Sequence, residues 1–399
     1  MTNISDIIHS KSEEYYSEVL GIRRHIHAHP ELSKQEIKTM DFIGRKLNEY
    51  GIPYTDHIGG YGIVGLIRGK DPDSACIALR ADMDALPVTE KNEVEYKSTI
   101  PGVMHACGHD VHMACLLGAA KILNGIKDQF NGTVKLFFQP SEETFPGGAI
   151  QMIRDGVMEN PKPSVVIGQH VFPFLSSGQV GFCPGKFMAS TDELYITVKG
   201  KGGHGAMPQT TVDPVLIASH IVVALQQVVS RNAHPLVPSV VTVGRFIAEG
   251  RTNVIPETAR LEGTIRTFDE KWRSEMHKII HRVAGSTAEA MGGSCEIRIE
   301  SGYPYVFNNE ELTHKLISLS GEYLGENNVK STKPKMGAED FSYFGREAPA
   351  CFYELGIAWP GKGDGPNLHT AGFDVDESAM KTGMGLMAWL AVKALNIKM

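Results

Sequence analysis

Hydrophobic residues recur at helical spacing in two segments near the start of the chain. In Ile4–Ile26 the apolar positions lie on one face of a helix, at Ile4, Ile7, Ile8, Tyr15, Val19 and Ile22. Pro30 interrupts this pattern, and Lys34–Tyr50 repeats it before Gly51, a residue typical of a helix end. The sequence therefore predicts two amphipathic helices, one on each side of Pro30.

Strand-like runs and a helical segment alternate in the next part of the chain. Four apolar runs are predicted to be strands: Gly62–Ile67, Cys76–Ala81, Thr133–Phe138 and Val165–His170. A helix is predicted between the second and the third, at Asp110–Leu123. This order predicts an α/β fold with a mostly parallel mixed sheet flanked by helices. Functional sites in such sheets gather at the carboxyl ends of the strands, where this chain carries Asp82, Asp84, Glu142, Glu143 and His170.

After about residue 181 the pattern becomes that of a small α+β unit. The predicted order is strand, helix, two strands, helix, strand, at Leu194–Val198, Val212–Ser230, Ser239–Ile247, Ala259–Phe268, Glu270–Met291 and Cys295–Ile299. From about Glu310 the earlier alternation resumes, and it ends in a predicted helix at Glu377–Leu395. We therefore expect a catalytic domain in two segments, residues 1–181 and 297–399, interrupted by an inserted domain, residues 182–296.

Composition narrows the classes of function. The chain has 399 residues, 42% of them hydrophobic and 21% charged, as in ordinary globular proteins. Lys and Arg total 39 and Asp and Glu total 46, so the net charge is −7. A chain without a basic surplus is not expected to bind nucleic acid or anionic membranes. Polar residues interrupt the apolar stretches Val215–Val229 and Met384–Leu395, so we expect no membrane span and a cytoplasmic protein.

The six cysteines include one that lies between two histidines. They form neither a disulfide framework nor a Cys-x-x-Cys pair, but Cys107 stands in His105-Ala-Cys-Gly-His109. Thiolate and imidazole are good zinc ligands, and a glycine lets the backbone turn tightly between them. A metal site is one interpretation of this motif, and a buried cysteine beside a helix-capping histidine is the other.

Further candidate ligands follow strands or lie near the end of the chain. Glu142 and Glu143 come after a strongly apolar strand, where one could bind a metal while its neighbour accepts a proton from water. Adjacent carboxylates are also common on solvated surfaces. His170 and His369 could each be a ligand or a structural residue. Five ligands would exceed the needs of one zinc ion and would indicate two ions that share a ligand.

Three other groups have both a functional and a structural interpretation. Asp82 and Asp84 could orient ligating histidines or cap a turn. A glycine-rich turn presents His204 and lacks the phosphate-loop pattern. Arg266 could hold a substrate carboxylate with Asn253 nearby, or both could be ordinary surface residues.

Eight motifs occur in the order found in a known enzyme family. They are Arg23…His27-x-x-Pro-Glu-Leu-Ser33, Arg80-Ala-Asp-Met-Asp-Ala-Leu-Pro87, His105-Ala-Cys-Gly-His-Asp110, Gln139-Pro-Ser-Glu-Glu143, Gly203-His-Gly-Ala-Met-Pro208, Asn253-Val-Ile-Pro256, Gly337-Ala-Glu-Asp-Phe341 and Leu368-His-Thr370. From about residue 20 to 390 the chain resembles the di-metal amidohydrolases of the aminoacylase and carboxypeptidase group. Within that group it is most similar to hippurate hydrolase, N-acyl-amino-acid deacylases and auxin-conjugate hydrolases. Any one motif would be weak, whereas the ordered set is specific.

The resemblance implies a fold and a set of site residues. It implies a zinc-exopeptidase-like body and a ferredoxin-like inserted lid through which two copies form a homodimer. The implied metal ligands are Cys107, His109, Glu143, His170 and His369. They would hold two divalent metal ions, zinc foremost, with manganese, cobalt and nickel also compatible.

By the same resemblance Glu142 is the general base, and His204 stabilises the tetrahedral intermediate in its own or the partner's site. Many relatives have a further histidine where this chain has Gln209, so no metal or substrate role is assigned to that position.

The expected reaction is hydrolysis of a small-molecule N-acyl amino acid to a carboxylic acid and a free amino acid. Asn253 or Arg266 would hold the substrate carboxylate. A dipeptidase or carboxypeptidase is the alternative, distinguished by whether the substrate needs a free α-amino group. A non-catalytic binding protein is a third hypothesis, which Glu142 beside five candidate ligands argues against. The preferred acyl group and amino acid stay open.

Overall fold

Two units account for residues 3–361 and 366–397, the part of the chain that the computed structural model describes. The first unit contains the described residues up to 187, residues 307–333 and those from 340 onward. The second contains residues 188–306 and 334–339. Each unit has its own cluster of buried hydrophobic side chains.

The first part of the chain forms two long helices and then alternating strands and helices. The elements are α1 (Ile4–Ala28), α2 (Ile37–Glu49), β1 (Tyr54–Ile58), β2 (Gly62–Arg68), β3 (Cys76–Asp82), α3 (His109–Gly125), β4 (Thr133–Gln139), α4 (Gly148–Arg154), β5 (Val166–Ser176), β6 (Val180–Phe182) and β7 (Gly185–Met188). The two predicted amphipathic helices and the four predicted strands are all present here. β1, β6 and β7 were not predicted, because they are short and carry little alternation.

The second unit is a two-layer α+β structure. Its elements are β8 (Ser190–Lys199), β9 (Gly203–His204), α5 (Pro214–Gln227), β10 (Ser239–Ile247), β11 (Val254–Ile255), β12 (Thr258–Thr267), α6 (Glu270–Ala290) and β13 (Ser294–Ser301). The antiparallel order β10-β12-β8-β13 is ferredoxin-like, as the family resemblance implies for the predicted α+β unit. The predicted bound of the insert at residue 296 lies inside β13, as it also lies inside the predicted strand Cys295–Ile299.

The last part of the chain returns to the first unit. Its elements are β14 (Val306–Asn308), α7 (Glu310–Leu324), β15 (Val329–Ser331), α8 (Phe344–Glu347), β16 (Ala350–Ala358) and α9 (Ala379–Ala394). Helix α9 packs against α1 and α3, and α3 and α9 both contact β3.

A mixed sheet forms the centre of the first unit and confirms the predicted fold class. Its order is β1-β2-β4-β3-β5-β16-β6-β15, and the central strands β4, β3, β5 and β16 are parallel. Every residue of β3, β4 and β16 is buried. Continuous burial is expected of parallel strands covered on both faces, and it explains why these segments are apolar without alternation.

The carboxyl ends of three central strands lie at one edge of this sheet. β3 and β4 end level with each other, since Asp82 pairs with Gln139. The prediction that His170 ends its strand is wrong, because β5 continues to Ser176 and pairs with β16 in parallel, with a register shift after Phe172. On its other side, β5 pairs with β3 only as far as Gly168. His170 therefore lies just past the last contact between β3 and β5, on the edge where the other candidates lie.

Among the described residues, one helical segment, residues 214–232, is long and apolar enough by length and composition to cross a membrane. A third of the apolar stretch within this segment is buried, and its buried side includes Ile217, Ile221 and Leu225. One such segment is weak evidence for a span, because core helices of water-soluble proteins meet the same criterion.

Candidate active site

A tight turn before α3 presents two candidate ligands. Gly108 has φ +84°, in the left-handed region, and lies between Cys107 and His109. A Cβ atom added to Gly108 would lie 2.5 Å from Cγ2 of Val171, so a side chain would meet both backbone strain and a neighbouring strand. The glycine thus allows the turn that the motif predicts. It brings Cys107 and His109 to the carboxyl edge of the sheet.

A second turn, after β4, carries the two adjacent glutamates. The N–H groups of Glu142 and Glu143 donate to Oδ1 and Oδ2 of Asp84 at 3.0 and 2.9 Å. Asp84 follows β3, so its carboxylate joins the ends of two neighbouring strands. Oδ1 of Asp84 also lies 3.5 Å from Nδ1 of His109. Asp84 therefore caps the glutamate turn and also faces the candidate ligand His109. The two predicted roles of Asp84, capping a turn and orienting a histidine, are compatible with each other.

The side chains of the five predicted ligands lie close together. The Cys107 sulfur lies 3.5 Å from Nε2 of His170 and 3.2 Å from Nε2 of His369. Oε1 of Glu143 lies 3.4 Å from that same His369 nitrogen. Two sets of three side chains have ligand atoms within 4.8 Å of one another: Cys107, His109 and His170, and Cys107, Glu143 and His369. Cys107 belongs to both sets, which is the arrangement expected when one ligand bridges two ions.

Backbone contacts orient the two histidines that come from distant segments. Nδ1 of His170 bonds the carbonyl oxygen of Val171 at 2.8 Å, which leaves Nε2 facing Cys107. A ligating histidine is commonly fixed in this way through its other ring nitrogen. The backbone N–H of His369 donates to the carbonyl of Ala106 at 2.7 Å, and His369 has φ +62°. This bond holds the His369 segment beside the Cys107 turn.

The chemistry of the buried atoms fits divalent cations. Both ring nitrogens of His109 and Oε1 of Glu143 are buried without a hydrogen-bond partner among the described residues. Burial by itself lowers the pKa of His109, but the carboxylates of Asp82 and Asp84 outweigh it and raise the pKa to about 10. A cluster of thiolate, imidazole and carboxylate groups with such an excess of negative charge suits zinc-like ions. The first unit therefore offers ligands for two divalent metal ions.

A buried network behind the ligands joins Asp82, which was predicted either to orient histidines or to cap a turn, to side chains for which no role was predicted. Arg80 donates to Oδ2 of Asp82 at 2.6 Å and to Oδ1 of Asp340 at 3.0 Å. Nδ1 of His112 lies 2.6 Å from Oδ1 of Asp82, and Nε2 of His112 accepts from the N–H of Val171 at 2.9 Å. Asp82 thus supports the strand segment next to His170 through His112. The sequence feature that could have indicated this role is the position of His112, which lies three residues after His109 and therefore on the same face of the helix.

A second buried network explains the first motif of the resemblance. Nε of Arg23 donates to Oδ2 of Asp110 at 2.7 Å, and His27 lies between Asp110 and Glu90, at 2.8 and 3.2 Å. Burial alone would raise the pKa of Asp110, but Arg23 and then His27 hold it well below its usual range. Because Asp110 follows His109, this network ties α1 to the start of the ligand-bearing helix.

The remaining predicted site residues belong to the second unit. His204 lies on β9 and Asn253 directly precedes β11, and these two short strands pair with each other. Both side chains are exposed, and Nδ1 of His204 accepts from the N–H of Ala206 at 3.1 Å. Arg266 lies on β12 and donates to the hydroxyl of Thr264 at 3.0 Å. The β9–β11 pairing thus brings His204 and Asn253 together, with Arg266 on a separate strand.

The first unit is an α/β structure whose mixed sheet carries a cluster of candidate ligands for two divalent metal ions at its carboxyl edge. The model of Peptidase family M20/M25/M40 matches residues 78–393. The chain belongs to this family.

Named relatives agree with this assignment. An N-acyl-L-amino acid amidohydrolase of Geobacillus stearothermophilus is 43% identical over 299 residues, which are 75% of this chain and 80% of the relative. Thermostable carboxypeptidase 2 of Saccharolobus solfataricus is 39% identical over 381 residues, 95% of each chain. The crystal structure of the YxeP protein of Bacillus subtilis, described as a dinuclear metal-binding peptidase, has a TM-score of 0.81 and 32% identity, covering 96% of this chain and 99% of that one. The chain is therefore a hydrolytic enzyme.

Proposed function

We propose that this enzyme hydrolyses the amide bond of N-acyl amino acids and releases a carboxylic acid and a free amino acid. The observation that carries the proposal is the convergence of two ligand sets on Cys107, with Glu142 beside them. Glu142 and Glu143 belong with His109 to a third group of ligand atoms within 4.8 Å. A carboxylate next to a metal site is the arrangement that metal-assisted hydrolysis needs. The name of the Geobacillus relative supports the substrate class.

The chain's own residues have separate roles in this proposal. Cys107, His109, Glu143, His170 and His369 hold two divalent ions, with zinc the first candidate and manganese, cobalt or nickel the others. When bound, such ions supply Lewis-acid chemistry and lower the pKa of water. Glu142 takes the proton from the attacking water and delivers it to the leaving amine nitrogen.

Residues of the second unit act on the substrate in the same proposal. His204, from this chain or a partner subunit, donates a hydrogen bond to the oxyanion of the tetrahedral intermediate, a contact worth about 10²–10³-fold in kcat. Asn253 or Arg266 binds the substrate carboxylate.

A carboxypeptidase or dipeptidase activity is the second candidate, and the name of the Saccharolobus relative favours it. The decisive experiment assays N-acetyl, N-benzoyl and N-succinyl amino acids beside dipeptides, with the protein loaded separately with each of the four metals. The deacylase proposal expects turnover of substrates that lack a free α-amino group. Equal rates on dipeptides and acyl amino acids would contradict it.

A single variant tests the role of the general base. Glu142→Gln keeps the size of the side chain but cannot take a proton, so we expect kcat to fall by about 10²–10⁴-fold. The metal content of this variant should equal that of the wild type. Glu95→Gln, at an exposed position, is the matched control and should retain full activity. Retained turnover in Glu142→Gln would remove Glu142 from the mechanism.

A further inference from the structure

A buried carboxylate from the start of the chain contacts the turn that carries Glu142 and Glu143. Glu36 is fully buried, and its Oε1 accepts from the backbone N–H of Ser141 at 2.7 Å and from the Ser141 hydroxyl at 3.0 Å. The hydroxyl oxygen of Ser141 in turn accepts from the N–H of Lys34 at 2.9 Å. The segment before α2 is therefore bonded to the residue that immediately precedes Glu142.

Ser141 has a backbone conformation that serine does not favour. Its φ is +56°, in the left-handed region, where a side chain other than glycine is strained. Such a residue persists only when its surroundings hold it in place. The two hydrogen bonds that Ser141 donates to Glu36 can hold the serine in this strained conformation.

Three consecutive N–H groups of this turn point at two buried carboxylates. The N–H of Ser141 donates to Glu36, and those of Glu142 and Glu143 donate to Asp84. A left-handed residue in a series of converging N–H groups makes a concave site for negative charge. Here the anions belong to the protein, so the carboxylates fix the direction in which the two glutamates leave the backbone.

The burial of Glu36 is not explained by its own helix. Glu36 occupies the N-cap position of α2, yet its side chain makes no capping hydrogen bond. Its second oxygen, Oε2, is buried and has no hydrogen-bond partner among the described residues. Burying a carboxylate is costly, and Ser141 is the residue whose hydrogen bonds offset that cost.

We propose that Glu36 is a positioning residue, which holds Ser141 in the left-handed conformation and thereby aims Glu142 at the substrate and Glu143 at the metal site. The inference rests on the proposed function for the role of Glu142. Glu36 touches neither substrate nor metal in this scheme. It acts through the backbone of Ser141.

The test combines removal of Glu36 with relief of the strain at Ser141. Glu36→Ala should lower kcat at saturating cobalt, and also the cobalt affinity of the metal-free protein, each by about 10–100-fold. Adding Ser141→Gly should recover about 5–30-fold of both losses, the equilibrium factor for one strained left-handed residue. Glu36→Gln keeps the acceptor oxygen and should retain most of both properties. Because glycine at residue 141 also relieves strain in the folded state, kcat and cobalt affinity of each variant are measured well below its melting temperature, where the protein is fully folded.

Glu31 provides the matched control. Its Oε2 also accepts two hydrogen bonds, from the N–H and the hydroxyl of Thr39, but these support α2 and not the glutamate turn. Glu31→Ala should lower the melting temperature and leave kcat and cobalt affinity unchanged. Glu36→Ala behaving like Glu31→Ala, or showing no rescue by Ser141→Gly, would overturn the inference.

Two further outcomes keep the test decisive. If Glu36→Ala does not fold, Ser141→Val replaces it, because a β-branched residue strongly disfavours positive φ while Glu36 stays in place. Wild-type kcat and cobalt affinity in Ser141→Val would then overturn the inference. If the wild type hydrolyses no N-acyl amino acid, the proposed function fails, and the cobalt affinities alone decide whether Glu36 positions the turn.

Discussion

Asp84 connects two segments that are distant in the sequence. Its carboxylate accepts from the Ser33 hydroxyl at 2.6 Å and from the N–H groups of Glu142 and Glu143. The pKa of Asp84 is lowered although burial opposes this, because His109, Ser33 and the backbone N–H of Glu143 favour the charged form. A negatively charged Asp84 is therefore part of the geometry of the glutamate turn.

Asp84→Asn replaces one acceptor oxygen with an NH₂ group, which cannot accept from the glutamate turn. We expect kcat at saturating metal to fall by about 10–100-fold, as for other residues that orient ligands. Ser33→Ala is the control, since it removes a contact to Asp84 but leaves both backbone bonds. Similar losses of kcat in the two variants would show that the backbone bonds are not the important ones.

The raised pKa of His27 leads to a prediction of how the free energy of unfolding depends on pH. Burial lowers its pKa, but Asp110 and Glu90 outweigh burial and raise it above the ordinary value of about 6.5. A histidine whose pKa is higher in the folded than in the unfolded protein stabilises the folded state. This stabilisation is complete at pH values below the unfolded-state pKa, and it is lost as the pH rises through the folded-state pKa. The free energy of unfolding of the wild type relative to His27→Gln should therefore decrease above about pH 6.5.

Urea unfolding at a series of pH values measures this difference. His57→Gln, at an exposed position, provides the baseline for the loss of a histidine. A difference between wild type and His27→Gln that stays constant with pH would contradict the charged His27 between two carboxylates.

At the scale of elements, α9 passes very close to its neighbours at a glycine. A Cβ atom on Gly383 would lie 2.5 Å from the sulfur of Cys115 on α3 and 2.9 Å from Cδ2 of Leu355 on β16. Gly383→Ala should therefore overpack the core and lower the free energy of unfolding by about 1–3 kcal/mol. Denaturant titration of the purified variant measures this change.

Gly21 on α1 is the matched helical glycine. It is exposed, and a Cβ atom there would meet nothing within 4 Å. Gly21→Ala should raise the free energy of unfolding by about 0.5–1 kcal/mol, because alanine favours the helix. A stabilising effect at both positions would mean that α9 is packed less tightly than the distances indicate.

Element type was predictable where one pattern dominates a segment. The helices α1 and α6 and the strands β10 and β12 lie within two residues of their predicted bounds, because their apolar positions follow one period throughout. The end of β5 was not predictable, since its pairing beyond Gly168 depends on β16, which is far away in the sequence.

At the scale of the whole molecule, the second unit exposes hydrophobic side chains. Val223 and Leu216 are 72% and 51% exposed and lie seven residues apart on α5, so they share a helix face. The strand β10 lies at one edge of its sheet, and among the described residues no further strand pairs with that edge. An apolar face beside an open sheet edge is suited to contact with a second copy, so we propose this face as the contact of the homodimer that the family resemblance implies.

Val223→Lys places a charge on that face. If two copies associate there, the variant should elute as a monomer in size-exclusion chromatography with light scattering, with its melting temperature little changed. Ile37→Lys makes the same change at a 48% exposed position of the first unit and should remain a dimer. A dimeric Val223→Lys protein would place the interface elsewhere.

The sequence alone determined the fold class and the candidate chemistry. Buried parallel strands need continuous apolar runs, and the polar residues that follow such runs mark the carboxyl edge, which makes Glu143 and His170 candidates. Cys107 and His109 are candidates because a thiolate and an imidazole, both good zinc ligands, stand on either side of a glycine. Nothing local in the sequence distinguishes His369 from a structural histidine, so its assignment depended on the family resemblance.

The tertiary structure decided which groups hold the candidates in place. Glu36 reaches Ser141, and His112 reaches Val171, across contacts between elements that are separate in the chain. Hydrophobic periodicity records which face of an element is buried, but it does not record which distant backbone group a buried polar side chain will meet. That information exists only when the strands and helices are packed together.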